Sequence, residues 1–162
     1  MQAPEITYKI LSDYASLVAV VSDRITPMEI AQTSVFPAIC FRQISEPQNN
    51  TKSGHSKTNY ARVQVDIVAY TYTEATSIAK LVRNAMFEVQ PPITINGSMV
   101  LGVELLDQIP FTETTESEEG TFRIMQDYSI CFNVGFAVVT DSYLLLENAN
   151  FLLLESGNKI IL

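Results

Sequence analysis

The sequence predicts an α+β protein: a single, mainly antiparallel sheet with two helices packed on one face, and a short C-terminal β-repeat extension. Three observations carry this reading. Segments 5–21 and 73–90 place apolar residues at helical spacing. Segments near 35–44, 62–70, 98–109 and 121–139 alternate or run apolar as strands do, and residues 143–162 repeat every eight residues. Stripes of period 3.6 and alternation of period two demand different backbones, and helices laid on one sheet bury both kinds of face. A chain of 162 residues suits one domain with a real core, since about 70% of the unfolded surface is buried at this size. The expected division is an α+β domain over 1–140 and the extension over 141–162.

The first helix opens on Pro4-Glu5, a proline and an acid in the first turn, both favoured there. Its stripe is Ile6, Ile10, Tyr14, Leu17, Val18 and Val21, and the run from Ser22 to Pro27 stops it and turns the chain. Pro37 sits inside the first strand segment and has no N–H to donate, so that strand starts late or lies at an edge. Residues 45–59 lack any bulky apolar side chain. Such a segment is either functional or a hairpin tip.

The second strand is the clearest, with Val63, Val65, Ile67 and Ala69 facing one way and Arg62, Gln64 and Asp66 the other. It is expected to be central, with both helices on one face. Thr73 is a plausible N-cap for the second helix, whose stripe is Ala75, Ile78, Ala79, Val82, Met86 and Val89, and Pro91-Pro92 ends it. Asn96-Gly97 is a strong hairpin turn signal, so 93–95 can pair back on the strand that follows, where Met99, Leu101, Val103 and Leu105 alternate. The last strand segment, 121–139, exceeds the common range of about 3–10 residues. A bulge near Gln126 or a projecting hairpin arm would account for its length.

After residue 140, 143–146, 151–154 and 159–162 form short apolar blocks separated by turn formers. Units this small cannot bury their own apolar faces. They dock either on the home sheet as an extra hairpin or on a neighbouring protein.

Charge is unevenly placed. Residues 1–91 hold eight basic and eight acidic side chains, whereas 92–162 hold ten acids against Arg123 and Lys159 and so carry the whole net charge of −8. Gripping DNA by its phosphates needs a basic patch; an acidic surface instead lets a duplex pass without sticking. Cys40 and Cys131 lie in strand runs and read as buried free thiols, and a single histidine, His55, cannot build a metal site or triad. There is no phosphate loop and no nucleophile elbow, and the acids at 104, 107 and 113–119 lack calcium-loop spacing. The expectation is no enzyme, no cofactor and no metal. With no long apolar stretch and no leader-like N-terminus, no membrane association is expected, and assembly in the host cytoplasm is.

The order helix, Asp23-Arg24-Ile25-x-Pro27, strand with Pro37-Ala-Ile, polar loop, then Arg62-Val-Gln-Val-Asp-Ile-Val-Ala-Tyr70 and Thr73-Glu-Ala-x-x-Ile-Ala-x-x-Val-Arg83 resembles the tail-completion or head–tail joining proteins of long-tailed phages, relatives of the tail terminators. The resemblance covers about 5–139. It implies a structural virion protein of the tail and neck region. Copies would form a hexameric ring that caps the tail tube protein, joins a neck or head-completion protein and lets DNA through its lumen. The expected protein-interaction residues are Lys52, His55 and Lys57 in the polar loop and Glu116, Glu118 and Glu119 in the acidic one. Tyr143, Leu145, Phe151, Leu153, Ile160 and Ile161 of the repeat join them. The alternative is a soluble protein-binding or assembly-chaperone module that uses its C-terminal strands.

Overall fold

The computed structural model describes residues 2–30, 34–47, 49–52, 54–89, 91–113 and 121–134. The segment after Val134, with the boundary at 140 and the repeat, lies outside the described residues, as do Glu116, Glu118 and Glu119.

The N-terminal stripe folds as two helices rather than one. Helix α1 spans Gln2–Asp13 and α2 spans Ala15–Val21, separated by Tyr14 in an extended conformation (φ −81°, ψ 96°). That break lets the Tyr14 hydroxyl reach Glu88 Oε1 at 3.2 Å and re-aims α2, so that Leu17 and Val21 are fully buried. Ser22 at φ 52° ends α2, its N–H donating to the Val18 carbonyl. The expected turn over 22–27 contains a three-residue strand, β1 (Ile25–Pro27). It pairs in parallel with β2 (Ala38–Ser45), which begins directly after Pro37, as a residue without an N–H requires.

Two two-residue strands, β3 (Asn50–Thr51) and β4 (Gly54–His55), form a small hairpin within the polar segment, and β5 (Thr58–Ala69) follows. Helix α3 (Tyr72–Glu88) buries Ala75, Ile78, Ala79, Val82, Ala85 and Met86. Its cap is Thr71, not Thr73: the Thr71 hydroxyl accepts from the Glu74 N–H at 3.2 Å. Thr71→Ala is therefore expected to lower stability by about 1 kcal/mol, and Thr73→Ala by less than about 0.5 kcal/mol, as read by urea unfolding. Equal losses would show that the Thr71 cap contributes nothing.

Strand β6 (Ile93–Ile95) turns through Asn96 (φ 49°) and Gly97 (φ 77°) into β7 (Ser98–Glu113), the two positive angles being those of the tight hairpin turn that Asn-Gly favours. Strand β8 (Thr121–Val134) completes a mixed six-stranded sheet of order β1-β2-β5-β8-β7-β6, antiparallel except for β1 against β2. The irregularities expected near Gln126 lie on the partner strand instead, between Val100 and Gly102 and between Leu105 and Asp107 of β7. The first of them reverses the expected alternation. Val100 is buried in the core while Leu101 is exposed, and Val103 and Leu105 return to the core side.

The helices cover one face, with β5 and β8 central as expected for the Arg62–Tyr70 segment. The core joins Ile6, Ile10, Leu17 and Val21 to Val63, Val65 and Ile67 of β5, Ile124, Tyr128, Ile130 and Phe132 of β8, and the α3 stripe. Gln126 sits within it, fully buried, its amide donating to the Ala79 carbonyl (3.0 Å) and Gln108 Oε1 (2.8 Å) while its Oε1 accepts from the Tyr128 hydroxyl (2.8 Å). Burial pushes the Tyr128 phenol well above its ordinary range, so the group stays a neutral donor there.

Candidate assembly surface

A two-layer fold buries one face of its sheet and leaves the other to solvent or to neighbours. Here the face turned away from the helices is built by the alternate residues of the strands: Arg42 on β2, Arg62, Gln64 and Asp66 on β5, and Arg123, Met125 and Asp127 on β8. These side chains are not simply solvated. Asp66 is 2% exposed and Asp127 6%.

Both acids are held by guanidinium groups from the adjacent strand. Arg123 Nη2 donates to Asp66 Oδ2 at 2.8 Å, and the Gln64 amide donates to Asp66 Oδ1 at 2.9 Å and also reaches the Met125 sulfur. Arg62 donates to Asp127 Oδ2. The register explains these pairs: Asp66 stands opposite Met125, so Arg123 reaches it diagonally, and Gln64 stands opposite Asp127 with Arg62 diagonal to it. Two buried polar atoms on this face, Arg42 Nε and Asp127 Oδ1, have no hydrogen-bond partner among the described residues. Buried polar atoms are nearly always paired, so this face has bonding capacity left for a neighbour.

The connection from β1 to β2 runs over one end of the same face. Met28, Glu29, Ile30 and Phe36 meet Cys40, Asp66, Val68 and Arg123 around a cleft of about 260 Å³, and Phe36 packs edge-on against Tyr70 at 5.3 Å. Cys40 is a buried free thiol, and burial followed by the charge of Asp66 pushes its pKa up, which keeps it protonated and unreactive. Cys131 is free and half-buried. Among the described residues no group of three His, Cys, Asp or Glu is placed to hold a metal ion, and no helix is long and apolar enough to cross a membrane.

Of the expected interaction residues, the structure places Lys52 and Lys57 exposed on the small β3–β4 hairpin, with the backbone of His55 in β4. The hairpin is tied by polar side chains, since the Glu46 carboxylate accepts from both Gln43 and Asn59 at 3.1 Å. Tyr143, Leu145, Phe151, Leu153, Ile160 and Ile161 lie outside the described residues. The buried ion pairs were missed in the sequence because Arg62, Gln64 and Asp66 read as an ordinary solvated face. The signal that could have found them is the matching spacing of Arg123 and Asp127 on the strand that pairs with β5, visible once the register is known.

Residues 8–133 match the family model described as tail completion protein gp17. Among solved structures, a chain of the virion of a native gene transfer agent (GTA) particle is similar in fold: TM-score 0.58 at 14% identity, covering 78% of this chain and 91% of that one. No curated protein matches. The matched span runs from α1 through all six strands of the sheet to the end of β8. The chain belongs to the tail completion protein gp17 family and is a structural virion protein that completes a phage tail.

Proposed function

We propose that copies of this chain close into a ring, expected to be hexameric, on the end of the tail tube, where it meets a neck or head-completion protein and DNA crosses its lumen. The observation that carries this reading is the sheet face turned away from the helices. Its buried acid–arginine pairs and unpartnered Arg42 and Asp127 atoms form a preorganised polar surface of the kind that subunit contacts use. The charge distribution supports the lumen. Two of the arginines on this face, Arg62 and Arg123, are neutralised by Asp127 and Asp66, so they are not free to hold phosphates.

The interaction set proposed is Lys52, His55 and Lys57 on the hairpin, Glu116, Glu118 and Glu119, and Tyr143, Leu145, Phe151, Leu153, Ile160 and Ile161 of the repeat. The repeat is proposed as a separate extension that docks on a neighbouring subunit or tail protein. Its blocks each bring several apolar side chains, worth about 1.5–3 kcal/mol apiece when buried.

Electron microscopy of the protein mixed with tail tubes tests the reading, with rings on tube ends as the expected result. A chain that never associates with tubes and instead captures a peptide as a monomer would overturn it in favour of a soluble binding module. A variant lacking 141–162 should fold, because helices and sheet are complete by Val134, yet bind tubes at least tenfold more weakly. Unfolding would assign the repeat to the home core.

A further inference from the structure

The two long margins of the sheet differ in character. At one margin β6 covers only Ser98 to Val100 of β7, so from Leu101 to Glu113 the outer edge of β7 has no strand beside it among the described residues. This stretch exposes Leu106 (48%), Ile109 (37%) and Phe111 (44%), a run of large apolar side chains, beside the exposed acids Glu104 and Asp107. An uncovered, apolar edge strand is a template for association. At the other margin, Pro4 and Tyr8 of α1, Ile25 and Pro27 of β1, and Phe41 of β2 line an apolar groove of about 470 Å³. Tyr8 is 49% exposed and leans on Phe41 with ring centroids 6.2 Å apart.

Charge matches shape across the two margins. Arg24, next to Ile25 at the groove, bonds the carbonyls of Pro37 (2.8 Å) and Val20 (3.1 Å) and makes no ion pair among the described residues. It keeps a full positive charge for the acids of the β7 edge. Glu5 is the acid in the groove lining, and Lys9 follows one turn later on α1.

We infer that the groove of one copy receives the Ile109–Phe111 edge of the next, so that the ring interface is head-to-tail between the α1/β1 margin and the β7 margin. A ridge on one margin and a groove on the other cannot pair by a twofold axis, and repeating such an unlike contact closes a ring. The inference rests on the ring reading and names its contact surface.

Cysteine cross-linking of the full chain bound to tail tubes tests it. Tyr8→Cys and Phe111→Cys are combined in one chain and treated with a short bis-maleimide, with wild type as the background for Cys40 and Cys131. A covalent ladder extending beyond the dimer is expected from the double variant and absent from each single one. Phe111→Asp, at a half-exposed site that should not disturb folding, is expected to abolish rings. Dimers from either single-cysteine variant would show like-with-like contact and overturn the inference. So would rings that form normally with no ladder, which leaves the ring reading standing. A ladder gained only when 141–162 is deleted would give the groove to the chain's own C-terminal segment and also overturn it. Tubes without any rings would remove the ring reading itself, and the inference with it.

Discussion

Val65→Asp is expected to leave no folded protein at ordinary temperature. Val65 is fully buried on β5, opposite Phe41 of β2 and Gln126 of β8. The substitution removes an apolar side chain worth about 1.5–3 kcal/mol and adds a buried charge without a partner, at about 3–5 kcal/mol. The nearest polar side chain in register is no help. The amide of Gln126 is already committed to Ala79 and Gln108, and its oxygen to Tyr128. Against a total stability of about 5–15 kcal/mol, the combined loss removes most or all of the margin. Circular dichroism should show the variant unfolded, while Val65→Ala loses only about 2 kcal/mol. A soluble Val65→Asp protein with a normal melting transition would mean that β5 is not the centre of the sheet.

The second large effect lies on the opposite face. Asp66→Ala is expected to cost about 3–5 kcal/mol, because it strands the Arg123 guanidinium with its counter-charge gone. The side chains of the pair are 3% and 28% exposed for Asp66 and Arg123, so solvent screens them little. The double variant Asp66→Leu with Arg123→Met should recover most of the loss, since an apolar pair needs no partner. The contrast within the same molecule is Lys9–Asp13, also at 2.8 Å but 50% and 58% exposed; Asp13→Ala should cost under about 0.5 kcal/mol. Urea unfolding of the four variants decides the matter. Should Asp66→Ala lose no more than Asp13→Ala, the buried pair is not what holds that face.

How far the sequence could be read follows from which forces act locally. The α3 stripe and the alternation of β5 were legible because each side chain's burial follows from its own neighbours along the chain. The Asn96-Gly97 hairpin was legible for the same reason, its two positive φ angles being a local demand. The break at Tyr14 was not, since it is driven by a tertiary bond to Glu88, which is remote in sequence. Nor was β1, whose three residues form a strand only by lying along β2. The irregularities of β7 were placed on the wrong strand because an extra residue is defined by what stands opposite it, and alternation in one strand carries no record of its partner. The assembly surface was legible least of all. Asp66 and Asp127 look like solvent-facing acids until register brings Arg123 and Arg62 to them, and the edge of β7 becomes an edge only when β6 proves too short to cover it.

The hydrogen bond from the Ser98 hydroxyl to Gln2 Oε1, at 2.8 Å, has a geometric meaning of its own, because Ser98 is also the register partner of Val134. The start of α1 and the end of β8 therefore meet at one pole of the subunit. Every residue that follows β8 is issued from that pole, beside the first turn of the first helix. In a ring of identical copies all these exits fall at the same height, so whatever each chain carries beyond the sheet is gathered on a single rim, and the opposite rim is left to the far ends of β7 and β8. The two mouths of such a ring are chemically distinct by construction, and a tail and a neck can each find their own side.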